Sequence, residues 1–224
     1  MSAASTTAPV TEPVRAGTSA RPPVALLPAL ATTAVVAVAS GAATSWGQLL
    51  LPSALTSLTN SAGAWSLVAF GLVWWTRSRP AVGAALGVVA FCSLNVGYAL
   101  ASAARGHTWS LSPTNFWVAA GLLAGPLVGL GAAWARGRAD VLAAVGIAGL
   151  AGLLVGEGVY GLTVIADTTS PVYWSGSVLA GLAVLVVLGR RRLRGPLPMA
   201  VATVGTLATA SALLGAYALL NGSS

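Results

Sequence analysis

Residues 150–167 read LAGLLVGEGVYGLTVIAD. The stretch is apolar apart from its closing Asp167 and one internal acid, Glu157, which lies about two helical turns or more from either end. Such a run is most of a membrane-spanning helix. A carboxyl group at that depth costs roughly 2.5–3.5 kcal/mol on insertion scales. The run therefore predicts a helix with the rest of a bundle built around it.

The remainder of the chain has the same character. It holds 224 residues, 56% hydrophobic and only 7% charged. Soluble domains carry roughly 25% charged residues, so these side chains cannot cover a water-facing surface. The net charge of +7 invites a nucleic-acid reading, but position excludes it. Every basic residue is Arg, and the arginines sit in short clusters between apolar runs. That is the pattern of membrane anchors, not of a phosphate-binding stripe. No nucleic acid is expected as a partner, and the lipid bilayer is. A bias to Ala, Val, Gly and Arg without Lys suggests a GC-rich, actinobacterial coding sequence.

Taking about 20 residues per span, the apolar runs predict an all-α membrane protein, a bundle of about seven transmembrane helices. They fall near residues 23–46, 58–76, 80–104, 115–135, 141–166, 172–189 and 196–220. Residues 1–22, rich in Ser, Thr and Pro, read as a disordered cytoplasmic tail, and 222–224 as a short end. The transmembrane domain is then 23–221. Ala37-Val38-Ala39 before Ser40 resembles a signal-peptidase site. The apolar run continues past it, which favours a retained helix.

The tail and the loops after helices 2, 4 and 6 hold ten of the eleven arginines, and the opposite side holds only Arg105. The positive-inside rule then puts the N-terminus in the cytoplasm and the C-terminus outside a bacterial plasma membrane. Tryptophans fall at both predicted boundaries: Trp46, Trp65, Trp109, Trp117 and Trp174 outside, Trp74, Trp75 and Trp134 inside. Helices 2–3, 4–5 and 6–7 also look like three repeated hairpins after a lone first helix. Each returns to a Gly-Tyr region, at Tyr98, Tyr160 and Tyr217.

Polar groups gather at one level near the outer side. They are Gln48, Asn60, Asn95, Tyr98, Glu157, Tyr160 and Tyr217, and together they form the candidate ligand or proton site. Gln48 and Asn60 lie in the proline-broken junction 47–63, which is either an ordinary outside loop or a partly re-entrant segment. Interrupted segments of the second kind mark binding sites in transporters. Burial disfavours a charged carboxylate, so Glu157 is expected to be neutral or to share a proton. It is either a hydrogen-bond pin from helix 3 to helix 5 or a site for a proton, cation or small ligand. Glycines repeat at Gly121, Gly125 and Gly129 and at Gly149, Gly152 and Gly156, small-residue stripes suited to close helix packing. They offer a route to a homo-oligomer or a partner membrane protein.

Other chemistry finds no support. One His and one Cys cannot make a haem or zinc site, so no metal and no cofactor is expected. His107 reads as a solvated loop residue, and Cys92 as a small buried apolar side chain. Without Lys there is no retinal Schiff base. No catalytic Ser/His pair, second intramembrane acid or Walker A motif is present, and no enzyme activity is expected.

Four segments carry a family resemblance: Thr44-Ser-Trp-Gly-Gln48, Leu58-Thr-Asn-Ser-Ala-Gly-Ala-Trp65, Gly125-Pro-Leu-Val-Gly129 and Gly156-Glu-Gly-Val-Tyr-Gly161. In these the chain resembles an uncharacterised family of small actinobacterial multi-pass membrane proteins, a domain-of-unknown-function family. The resemblance implies a membrane protein and singles out Glu157, but supplies no substrate. Two functions remain: a non-enzymatic membrane protein binding or moving a small ligand or ion at an outward-facing polar pocket around Glu157, or a structural, partner-binding subunit.

Overall fold

A computed structural model describes residues 26–138 and 140–222. The expected tail at 1–22 lies outside the described residues. Among the described residues there are seven α-helices and no strand. They are α1 (Leu26–Leu50), α2 (Ala62–Thr76), α3 (Pro80–Ala104), α4 (Phe116–Ala135), α5 (Asp140–Thr163), α6 (Pro171–Arg192) and α7 (Pro196–Gly222). A single 3-10 turn, Thr56–Asn60, stands between α1 and α2.

Six of the helices are long and apolar enough to cross a membrane, and α2 is the exception. Its 15 residues make about 22 Å of helix, short of the roughly 30 Å hydrocarbon core. The expected start near residue 58 is corrected to Ala62. The reason is local. Pro52 interrupts the chain after α1, and the 3-10 turn takes up the next residues. Ser61 then adopts an extended backbone, φ −91° and ψ 123°, as an N-cap residue does. The first helix also runs four residues further than expected, to Leu50, so Gln48 lies on α1 rather than beyond it.

The other ends follow from sequence chemistry. Pro80 and Pro171 occupy the first turns of α3 and α6, where the missing N–H is no loss. Asn115 caps α4 by accepting from Trp117 N–H at 2.9 Å and Val118 N–H at 3.4 Å. Ser170 caps α6 by accepting from Val172 N–H at 3.3 Å.

The centre of the bundle is α5. Of its span 67% is buried, against 50% for α3 and 22–28% for the other four long helices. α5 packs against α2, α4, α6 and α7, while α1 and α4 pack on α3. The glycine stripes are used in this packing. A Cβ on Gly87 would run into the Gly125 backbone, one on Gly129 into Gly83, and one on Gly156 would stand 2.9 Å from Ala210. The three expected hairpins are not three packing units, because α6 and α7 both lie on α5 and barely touch each other. Cys92 is a correction too. It is exposed on the surface of α3 rather than buried in the bundle.

Candidate functional site

Glu157 has 3% of its surface exposed. The expected pin to helix 3 is corrected, because its carboxyl faces the N-terminus of α2 instead. Oε1 accepts from Ala62 N–H at 2.7 Å. Oε2 accepts from Gly63 N–H at 2.8 Å and from the Ser61 hydroxyl at 2.6 Å. The first N–H groups of a helix have no intrahelical partner and carry partial positive charge. Here the missing acceptor arrives from a helix 94 to 96 residues away in sequence. Ser61 completes the arrangement, since its Oγ also accepts from Ala64 N–H at 3.0 Å.

The approach depends on Gly63. A Cβ there would stand 2.5 Å from Oε2 and 3.0 Å from Leu154 Cδ2. The carboxyl group therefore holds the broken entry to α2 from inside the bundle, and that fixes where Asn60, one residue before the cap, must lie.

Asn60 belongs to a second polar group. Gln48 Nε2 donates to Tyr98 OH at 2.8 Å and to Asn60 Oδ1 at 3.3 Å, joining α1, the 3-10 turn and α3. Beside them Thr59, Asn60, Trp65, Tyr98, Trp109 and Trp117 line a narrow pocket that admits no water molecule as it stands. Its rings touch in series: Trp65–Trp117 at 5.7 Å, Trp65–Tyr98 at 6.1 Å and Tyr98–Trp109 at 4.4 Å between centroids. The indole Nε1 atoms of Trp65 and Trp109 are buried without an acceptor, an unusual state for a group that ordinarily finds one.

One protein-family model spans residues 20–222 and so covers all seven helices. The chain belongs to that family, DUF6518, a family of unknown function. No curated protein and no solved structure matches it.

In this DUF6518 chain the seven expected site residues separate into three places. Gln48, Asn60 and Tyr98 form one hydrogen-bonded group. Glu157 holds the α2 terminus, with Tyr217 near it. Tyr217 stacks on Tyr160 at 4.4 Å, so α5 and α7 bring these two tyrosines together as their matched depth predicts. Asn95 stands apart from all of them. Its amide donates to Phe91 O at 3.0 Å and Trp117 O at 3.5 Å, and its Oδ1 has no donor.

Sequence reasoning missed Ser61 and Tyr173. Tyr173, on the first turn of α6, lies beside both Ser61 and Glu157. A signal for Ser61 was present, since Ser before an apolar helical run is an N-cap pattern. None pointed to Tyr173. His107 is exposed on the α3–α4 loop, and no cluster of three metal-binding side chains occurs among the described residues.

Proposed function

We propose that this DUF6518 chain is a non-enzymatic membrane protein that binds a small ligand at the Arg-poor end of its bundle. The site is the polar group Gln48, Asn60 and Tyr98 with the aromatic pocket beside it. By the distribution of arginines that end faces out of the cell. Glu157 acts as a positioning residue. It fixes the start of α2 and so holds Asn60 and Trp65 in place.

The observation that carries this reading is the broken entry to α2. A buried carboxyl group is committed to a chain break that ends at a pocket lined by three indoles and one phenol. Stacked aromatic faces attract organic cations, by about 0.5–2 kcal/mol per favourable contact, and Trp109 brings one such face from the α3–α4 loop. The competing reading, a subunit that docks partners through its glycine stripes, is weakened because Gly125, Gly129 and Gly156 already pack inside the chain.

Calorimetric titration of the reconstituted protein with choline and with its neutral isostere 3,3-dimethylbutan-1-ol tests the reading. Saturable binding of choline, lost in Tyr98→Ala and kept in the distant Tyr217→Ala, is the expected result. No saturable heat from either compound, or equal loss in both variants, would count against a ligand site here.

A further inference from the structure

The C-terminal end of α2 carries a second, separate constellation. Trp74 lies under two guanidinium groups. Arg136, after α4, is 5.5 Å from its ring centroid, and Arg192, at the end of α6, is 5.0 Å away. Arg136 Nη1 also donates to the Trp74 carbonyl at 3.2 Å. Arg77 ends α2 in the left-handed conformation, φ 54°, a region that glycine usually fills. Segments far apart in sequence therefore bring two cations to one indole and a third, Arg77, close enough to act on Arg136.

Among the described residues, no carboxylate forms an ion pair with Arg77, Arg136 or Arg192. The strain is visible in Arg136, whose pKa is lowered by burial first and then by the charges of Arg77 and Arg192. Three like charges drawn together at one end of α2, two of them on an aromatic face and half-buried, need a counter-charge from outside the chain.

The surroundings indicate its source. Trp75 is 79% exposed next to the cluster, and exposed Trp at the end of an apolar helix marks headgroup depth. Guanidinium forks match phosphate oxygens two at a time, and basic pockets between membrane helices hold anionic headgroups. We propose that Arg77, Arg136 and Arg192 bind the phosphate of an anionic phospholipid headgroup, with its acyl chains along the neighbouring helices. This site is independent of the ligand pocket at the opposite end.

The test is lipid-dependent unfolding of the purified full chain in dodecylmaltoside. Phosphatidylglycerol, phosphatidylcholine and inorganic phosphate are titrated separately, and the unfolding temperature is followed. Phosphatidylglycerol raises the unfolding temperature saturably. The Arg192 side chain makes no hydrogen bond to the described residues, so Arg192→Gln folds and weakens the apparent lipid affinity roughly fivefold, the effect of one interfacial charge. Adding Arg77→Gly weakens it by a similar factor again. The double variant Arg138→Gln/Arg190→Gln removes two exposed charges from the same end outside the cluster, and it keeps the wild-type affinity. If both double variants lose affinity equally, the effect is general charge attraction and the proposal fails. An equal response to phosphatidylcholine or to inorganic phosphate overturns the lipid assignment.

Discussion

The two ends of α2 meet charge in opposite ways. At its N-terminus one buried carboxyl group accepts two backbone N–H bonds and one hydroxyl bond, and every donor within reach is satisfied inside the protein. At its C-terminus two arginines converge on Trp74, with a carbonyl and an indole face to receive them, and Arg77 adds a third charge nearby. Both signs suit the helix dipole, acid at the start and base at the end. One end is closed and complete, whereas the other is left with excess charge. A short helix that cannot span the bilayer alone is thus held by a fixed internal cap at one terminus and by a cluster open to the membrane surface at the other.

Breaking the closed end has the largest expected effect. Glu157→Ala leaves the Ala62 and Gly63 N–H groups and the Ser61 hydroxyl without their acceptor. At about 1–3 kcal/mol for each buried group left unpaired, a loss of several kcal/mol is expected, measured by denaturant unfolding in mixed micelles. Glu157→Gln is not a neutral change here, because both oxygens accept. The amide nitrogen must face an N–H or an O–H donor, and about 1–3 kcal/mol is lost. Wild-type stability in the glutamine variant would mean that one oxygen is not bonded as described.

Gly63→Ala attacks the same contact from the other side. Its Cβ enters the space of Oε2, and overpacking of this kind costs about 1–3 kcal/mol. If Glu157→Ala and Gly63→Ala act on one contact, their effects combine to less than their sum; strict additivity would contradict this.

At the open end the effects are smaller and depend on lipid. Trp74→Ala removes two cation–π contacts worth about 0.5–1 kcal/mol each. The smallest effect is expected for Arg77→Gly in neutral detergent. The left-handed backbone costs an L-residue about 1–2 kcal/mol, so this variant unfolds at a slightly higher temperature than wild type. A decrease would show that the Arg77 side chain contributes more than its backbone costs.

Much of this contrast can be traced in the sequence, and its unreadable part has a physical cause. Seven helices follow from apolar run length and from arginine clusters, both properties of side chains. Glu157 stands out because a carboxylate is rare at that depth. Its partner could not be read, because the partner is two backbone N–H groups, and every non-proline residue has one. The expected pin to helix 3 failed because Asn95 turns to its own helix and to Trp117, while α2 brings its terminus to α5. Gln48, Asn60 and Tyr98 were recognised as a level, and their contact needed only α1 and α3 to be neighbours. The aromatic pocket combines residues that the sequence suggested only as an interfacial belt. The convergence of Arg136 and Arg192 on one indole, with Arg77 nearby, required the fold, although the clusters themselves were plain.

Hydrogen–deuterium exchange of the α2 amides in the lipid-reconstituted protein, comparing wild type with Glu157→Ala, tests the central claim most directly. In the wild type the Ala62 and Gly63 amides are protected by the carboxylate. The variant is predicted to exchange them at least about tenfold faster, the factor for roughly 1.4 kcal/mol of lost protection. The amides of Phe70 to Val73 in the same helix, and those of α7, keep their protection. Unchanged exchange at Ala62 and Gly63 in a folded variant would contradict the account, because the cap on α2 would then not come from Glu157.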